Sequence, residues 1–347
     1  MNYRIIILLA LMFVVVYNLK IKKDVKKLTF NKEDSLNLKG LFCLLVIIGH
    51  LATWTNREVL FSFSSNFGFF AVAGFLFISG YGLAKNKNDN ILKLIKKLLI
   101  IGIPFILINI VFYFLLNSIG TEIKFIEAIK SLVNFYPIAY FSWYVVEILI
   151  FYVMFYITKK VLKKPWLITL GILLEIIVYN MLTYRYGLIY SWWLSNFAFV
   201  LGILIAFDFK TINKFIKKYY KIIFSMTFIL FLLTLDYQFI LGKEFNTNFN
   251  IFIAQLCITL FPFLIYLFLQ KFEFNSKILR FIGKYSYEIY LVQGIPLLLL
   301  RSKYIYVNDD FLYTFMCILI SIIVGIIFYY INNLIFKITK LKTNHNN

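Results

Sequence analysis

The stretch LNLKGLFCLLVIIGHLATW, residues 36–54, is an apolar segment of membrane-spanning length with a cation near its start and a histidine in its interior. In an α-helix, the eleven steps from Lys39 to His50 come to three turns plus about 20°, so both side chains lie on one face. They are about 16 Å apart along the axis, roughly half the thickness of a hydrocarbon core. The stretch therefore predicts a basic group near one membrane surface and an imidazole near mid-depth, on a single stripe.

The composition indicates that the whole chain is a membrane protein, in agreement with the stretch 36–54. Of the 347 residues, 62% are hydrophobic and only 15% are charged, and the apolar stretches are too long and too numerous for one soluble core. We predict an all-α fold, a polytopic transmembrane helical bundle of about ten or eleven spans. The expected spans are residues 4–19, 38–56, 67–84, 92–117, 141–158, 166–182, 192–207, 221–239, 249–270, 287–300 and 311–336.

The formal charge of +20 could indicate a nucleic-acid partner, but the positions of the cations explain it without one. Alternate loops hold 28 of the 36 cations, and the remaining loops hold 8. This split follows the positive-inside rule for a multi-pass protein of the cell membrane with its N-terminus outside and its C-terminus in the cytoplasm. On this topology Lys39 lies at the cytoplasmic end of its helix and Trp54 near the outer interface.

His50 is the first candidate for a catalytic residue. A histidine in a membrane helix often only bonds a neighbouring helix, but an ionisable group at mid-depth commonly marks a pathway or a catalytic site. The other histidine, His345, lies in a polar tail. Because the ordinary pKa of histidine is about 6.5, His50 would suit a general base near neutral pH.

Glu147, in the segment WYVVEILIFY, is the second candidate. Its sequence neighbours include no cation, so its burial is costly unless it is paired or protonated. It could orient His50 as a carboxylate–imidazole pair, or it could form a helix–helix hydrogen bond, and the sequence leaves both alternatives open. For Glu175 and Glu288 we predict structural roles.

The third span, NFGFFAVAGFLFISGYGLAKN, contains four glycines, Gly68, Gly74, Gly80 and Gly82. We interpret them as sites of close helix packing. Ser79 and Tyr81 of the same span offer hydroxyl groups in its cytoplasmic half.

The three cysteines, Cys43, Cys257 and Cys317, fall inside predicted spans and are interpreted as small packing residues. Cys43 lies on the stripe of Lys39 and His50, so a thioester-exchanging nucleophile is a less favoured alternative. No residue near it in sequence would stabilise a thiolate.

A run of lysines follows the third span: Lys85, Lys87, Lys93, Lys96 and Lys97. One interpretation is interfacial snorkelling that serves only topology. The other is a phosphate cradle for a nucleotide-containing donor, assembled with Lys39 at the same membrane face.

These residues together resemble the acyltransferase-3 family of integral-membrane acyltransferases. The resemblance rests on Lys39 with His50 eleven residues later, on Gly-Phe-Leu-Phe-Ile-Ser-Gly-Tyr at 74–81, and on Tyr-Ser-Tyr-Glu-Ile-Tyr-Leu at 285–291. It continues through Gly-Ile-Pro at 102–104, Ser-Trp-Tyr at 142–144 and the segment 147–152, and it covers most of residues 36–336. The segment 4–19 looks like an added span before the family core. Residues 1–35 then form an anchor helix with a basic loop, 36–336 the acyltransferase domain, and 337–347 a polar tail.

The resemblance implies transfer of an acyl group, usually acetyl from acetyl-CoA, to a hydroxyl of a polysaccharide, a lipid-linked saccharide or a similar envelope molecule. It places the paired base and histidine at Lys39 and His50, with the donor at Lys39, Ser79 and the lysines 85, 93, 96 and 97. The family often has Arg at the first position with an acidic residue two before it, where this chain has Asn37. It usually has His where Gln293 stands.

The expected partners are thus membrane lipid, acyl-CoA and a saccharide acceptor, with no metal and no nucleic acid. Two alternatives belong to other functional classes. A transporter or flippase for a lipid-linked saccharide could also use a histidine and a glutamate at mid-depth. An assembly component without turnover is the third possibility.

Overall fold

A computed structural model of the chain describes residues 30–339 apart from 57–63, 87–89, 135 and 208–209. It also describes residues 19–22, 341 and five single positions, 6, 10, 13, 14 and 16. The predicted anchor span 4–19 and Lys87 therefore lie largely or wholly outside the described residues.

The described chain is almost entirely helical, as predicted. Two two-residue strands, β1 (Lys20–Ile21) and β2 (Phe272–Glu273), pair in antiparallel fashion. The helices are α1 (Lys32–Leu51), α2 (Phe67–Lys85), α3 (Ile91–Ile119), α4 (Phe125–Val133), α5 (Trp143–Val161), α6 (Pro165–Arg185), α7 (Ser191–Leu194), α8 (Phe197–Ala206), α9 (Lys210–Lys218), α10 (Tyr220–Leu235), α11 (Asn248–Lys271), α12 (Lys277–Lys284), α13 (Ser286–Val292), α14 (Gly294–Leu299) and α15 (Asp310–Ile338).

Eight helical segments of the described residues are long and apolar enough to cross a membrane. Large apolar side chains cover the outward faces of the peripheral helices, for example Ile106 of α3, Leu174 of α6, Leu233 of α10 and Ile327 of α15. A soluble protein could not expose so many large apolar side chains, whereas lipid accommodates them. The predicted class, a multi-pass all-α membrane protein, is confirmed.

Two predicted spans are interrupted. Residues 192–207 are divided between α7 and α8, and residues 287–300 between α13 and α14. The second break is explained by Pro296, since proline removes one backbone donor and its ring crowds the carbonyl four residues earlier, that of Val292, where α13 ends.

Helix α1 is shifted from its predicted limits, 38–56. It starts at Lys32 because Asn31 and Asp34 form a capping box, in which the Asn31 side chain accepts from the Asp34 N–H at 2.8 Å. It ends at Leu51, where the hydroxyls of Thr53 and Thr55 bond the last carbonyls. His50 therefore lies in the last turn of its helix, and Lys39 lies about two turns from the start. The expectations that His50 lies near the middle of the helix and that Lys39 lies at its end are wrong.

Small residues let the central helices approach at backbone distance. A Cβ atom on Gly80 would overlap the carbonyl of Phe199 in α8, and one on Gly40 would overlap the carbonyl of Leu279 in α12. A Cβ on Gly74 would overlap the Phe42 ring. The packing role predicted for Gly74 and Gly80 is confirmed. At Gly68 the helices also approach closely, since a Cβ on Gly49 would lie 2.8 Å from the Gly68 backbone nitrogen. The packing role is wrong for Gly82, which has nothing within 4 Å of the position that a Cβ would take.

Candidate active site

Lys39 is half-buried and lines two adjoining cavities between α1, α2 and α5. The first, which we call the mouth cavity, has a volume of about 350 Å³ and is lined by residues that include Lys32, Lys97 and Tyr81. The second, the inner cavity, has a volume of about 200 Å³. Both are lined by Lys39, Ser79 and Tyr152, so these three residues lie where the two spaces meet.

The mouth cavity is positively charged. Its described lining holds the ammonium groups of Lys32, Lys39 and Lys97 and no carboxylate. A concave site with one sign of charge concentrates ligands of the opposite sign, so this cavity suits an anion. Our sequence reasoning missed Lys32, although it precedes Lys39 by seven residues, which is about two helical turns and places both on one face.

A narrow recess of about 40 Å³ adds two more cations beside the mouth cavity. Lys93 and Lys159 line it, and Lys97 and Tyr152 line both the recess and the mouth cavity. Lys159 also donates to the Asn86 carbonyl at 2.8 Å, which ties the end of α5 to the end of α2. Lys39, Lys93 and Lys97 thus lie around the mouth cavity and the recess, and their role as a phosphate cradle stays a prediction.

The other predicted donor residues are less central. The ammonium of Lys85 lies 5.6 Å from the ring centre of Tyr81, at the edge of the mouth cavity. Lys96 does not line the mouth cavity, the inner cavity or the recess. Ser79, in contrast, lies at the junction of the two cavities.

Most of the residues that line the inner cavity are serines and tyrosines, which carry a hydroxyl group. Ser79 interacts with the hydroxyls of Tyr144 and Tyr152, which lie on one ridge of α5 with Ile148 between them. The hydroxyl of Tyr287 donates to the Ile101 carbonyl at 2.5 Å. The sequence analysis did not single out these tyrosines, although the i, i+4, i+8 spacing of 144, 148 and 152 could have indicated a common face.

His50 lies outside both cavities, beyond the far end of the inner one. Its ring is 4.7 Å from the ring of Phe141, measured between centroids. The backbone carbonyl of Phe141 accepts from the hydroxyl of Tyr290 at 2.6 Å, and Tyr290 lines the inner cavity. Two contacts, through Tyr290 and Phe141, therefore connect the inner cavity to His50.

The polar neighbour of the His50 imidazole is Gln293, at the break between α13 and α14. Gln293 is fully buried. Sequence reasoning noted it only as a departure from the family pattern, because a residue 243 positions away gives no local signal of contact with His50.

Glu147 is fully buried in a different cluster. Its carboxylate faces the Tyr179 hydroxyl of α6 and the Asn196 amide, and Asn196 donates to Asn180 at 2.8 Å. These partners favour the helix–helix alternative that the sequence left open. The role of Glu147 as an orienting partner of His50 stays a prediction.

The remaining buried carboxylates and thiols have structural partners. The Glu175 carboxylate accepts from the Thr158 hydroxyl, and Glu288 faces Asn332 across the interface of α13 and α15. Cys43 is 1% exposed, and its thiol donates to the Ser286 carbonyl at 3.7 Å. All three cysteines are buried, and their predicted packing role is confirmed.

Another cavity, of about 450 Å³, lies at the junction of α9 and α10. It is lined by Lys217, Lys218, Lys221, Lys271 and neighbouring residues, and by none of the predicted site residues. The two cavities at Lys39, in contrast, are lined by residues that the sequence singles out. We therefore place the candidate site at Lys39 and His50.

Comparison with known proteins gives one match. A protein-family model described as an acyltransferase domain matches residues 34–330, which include most of α1 and most of α15. No curated protein and no solved structure matches the chain.

Proposed function

We infer the reaction from one premise: the chain belongs to the acyltransferase-3 family and is therefore a membrane acyltransferase. We propose that it transfers an acyl group, most simply acetyl, from acyl-CoA to a hydroxyl of a cell-envelope polysaccharide, a lipid-linked saccharide or a similar acceptor. The observation that carries this proposal is the pair of cavities that begins at three lysines and continues along Lys39 toward His50.

The donor phosphates would bind in the mouth cavity. Lys32, Lys39 and Lys97 offer up to nine N–H donors there, and charge-assisted hydrogen bonds to phosphate are about twice as strong as neutral ones. Lys93 and Lys159 lie beside them and add positive potential. The distribution of cations also sets the orientation of the protein in the membrane. The cation-rich loops would face the cytoplasm, where acyl-CoA is found.

The pantetheine arm would enter the inner cavity. Its amides would bond the hydroxyls of Ser79, Tyr144 and Tyr152, which converge there. The arm is thin and the cavity is small, so the fit excludes bulkier nucleotide moieties from this space. The thioester would then reach the Tyr290 end of the cavity, one residue, Phe141, from the imidazole.

The proposed step is acyl transfer with His50 as general base. His50 takes the proton from the acceptor hydroxyl while the hydroxyl oxygen attacks the thioester carbonyl. A new C–O bond forms, the C–S bond breaks, and the proton passes from the imidazolium to the leaving CoA thiolate. The acceptor would approach from the end of α1 where His50 lies, opposite to the lysines.

The decisive experiment is reconstitution. The purified protein, supplied with acetyl-CoA and a glycan extract from a strain that lacks the gene, should release free CoA and raise the glycan mass by one acyl group. Envelope glycans of strains with and without the gene should differ by the same group. Movement of the saccharide across proteoliposomes without any covalent change would overturn the proposal in favour of transport.

A further inference from the structure

The two nitrogens of the His50 imidazole have different surroundings. The residue as a whole is partly exposed, yet its Nδ1 atom is buried and has no hydrogen-bond partner at normal distance. Since the ring has only two nitrogens, Nε2 is the one left to meet a substrate. A general base needs its lone pair on that nitrogen, and the position of the single proton of the neutral ring decides this.

The orientation of Gln293 is set by its own backbone neighbour. Its Nε2 donates to the carbonyl of Tyr290 at 3.0 Å. The reverse orientation of the amide would place two acceptor oxygens against each other, so the hydrogen-bond network assigns the nitrogen to this side. The remaining atom, Oε1, is an acceptor only, and it is buried without a partner in the side chain that lies against His50.

His50 Nδ1 and Gln293 Oε1, the two buried atoms without a hydrogen-bond partner, can bond each other in only one protonation state of the imidazole. An unprotonated Nδ1 would leave two buried lone pairs side by side, which costs the desolvation of both groups. A protonated Nδ1 satisfies both atoms with a single hydrogen bond.

We propose that Gln293 is a positioning residue that accepts a hydrogen bond from Nδ1–H of His50 and so holds the neutral imidazole with Nε2 unprotonated and directed to the substrate. This inference rests on the proposed function for the use of His50 as a base, but the tautomer itself does not depend on it. Phe141 supports the arrangement, because its ring packs on the imidazole and restricts rotation of the imidazole ring. Gly294 makes that packing possible, since a Cβ there would overlap the Phe141 ring.

The chain offers a direct test because it contains only two histidines, His50 and His345. In the full-length His345→Gln protein, labelled with ¹⁵N-histidine and held in detergent micelles, every histidine signal belongs to His50. We expect the shifts of a ring with protonated Nδ1 and unprotonated Nε2. In Gln293→Leu on this background, we expect the signal to move to the Nε2–H form that a free imidazole favours.

A second variant controls for folding. Gln293→Glu keeps an acceptor oxygen and should retain the Nδ1–H form even if the leucine variant is unstable. An Nε2–H signal in the parent protein would overturn the proposal, and so would a glutamate variant that loses the Nδ1–H form or a folded leucine variant that keeps it.

Turnover separates this inference from the proposed function. With acetyl-CoA as donor, Gln293→Leu should lower kcat by about tenfold or more and leave the KM for acetyl-CoA unchanged. If the parent shows the Nδ1–H tautomer but releases no CoA with any acceptor, the function fails and the tautomer stands. If turnover occurs and kcat is unchanged in Gln293→Leu, the positioning role fails and the function stands.

Discussion

Two regions of helix α1 differ in almost every physical respect, although they lie on one stripe: the region around Lys39, about two turns from the start of the helix, and the region around His50 in its last turn. We call them the Lys39 end and the His50 end. Around Lys39 the helix borders two cavities lined by ammonium and hydroxyl groups, and Gly40 fixes it against the backbone of α12. Around His50 it borders the ring of Phe141 and the amide of Gln293. The first end suits the binding of a large anion, and the second suits control of one proton.

This difference indicates that donor binding and acyl transfer take place at separate positions along α1. The phosphates of a CoA thioester and its reacting carbon lie at opposite ends of a long molecule, and Lys39 and His50 are about 16 Å apart on one rigid helix. Variants at the Lys39 end should therefore alter donor KM, and variants at the His50 end should alter kcat.

The largest effect is expected from His50→Ala. Loss of a general base typically lowers kcat by about 10²- to 10⁴-fold, and the KM for acyl-CoA should change little because the lysines remain. The measurement is CoA release by the purified variant, with its thermal unfolding recorded to confirm folding. His345→Ala, which changes the only other histidine, is the matched control and should be fully active. Normal O-acyl product from a folded His50→Ala protein would remove His50 from the mechanism.

Lys39→Met should have the next largest effect, at the other end of the comparison. It keeps the apolar stem and removes the charge, so we expect the KM for acyl-CoA to rise by about 10- to 100-fold, the equivalent of one hydrogen bond to a charged group. Lys39→Arg should retain most of the affinity, because it keeps the charge and adds a bidentate fork.

Lys96→Met is the matched control for this prediction. It removes one cation from the same end of the bundle, but Lys96 lines neither the two cavities nor the recess. If both methionine variants raise KM equally, the effect is long-range electrostatics, and the mouth cavity does not bind the phosphates directly.

Sequence reasoning predicted those features of the site that depend on local periodicity. The shared stripe of Lys39 and His50 follows from helical geometry alone. The packing of Gly80 follows from the use of small residues where membrane helices approach closely. The limits of α1 were wrong by five or six residues, since the capping box at Asn31 and the threonines after Leu51 were not given weight. These were local signals that the sequence did contain.

The contacts of His50, in contrast, have no local signal in the sequence. Phe141 and Gln293 are distant in sequence, and they meet the imidazole only because α13 breaks at Gln293 and Gly294 admits the Phe141 ring. Such contacts are set by tertiary packing, which no spacing rule within one helix encodes. The same holds for Glu147, whose partners come from two other helical segments.

Gly40→Ala tests how the Lys39 end is held in place. A Cβ at this position would overlap the carbonyl of Leu279, and backbone cannot move aside as a flexible side chain does. We expect a loss of about 1–3 kcal/mol in the free energy of unfolding, the usual effect of overpacking, seen as a lower thermal midpoint. Gly82→Ala, where nothing lies within 4 Å of the new Cβ, should not lower it. Equal midpoints for the two variants would show that α1 and α12 are not in backbone contact.

The smallest effect is expected from Glu147→Gln, and it decides whether the His50 end includes a carboxylate. The partners of Glu147 are Tyr179 and Asn196, and glutamine can still bond both, so kcat should stay within about threefold and its pH profile should not move. Glu147→Leu removes the carboxylate that the buried Tyr179 hydroxyl faces and should lower stability by about 1–3 kcal/mol, although the Asn196 amide keeps its bond to Asn180. A large loss of kcat with a shifted pH profile in the glutamine variant would support the orienting role. In that case the Glu147 carboxylate would help to fix the position of the proton on the His50 ring, and the Gln293 amide alone would not be enough.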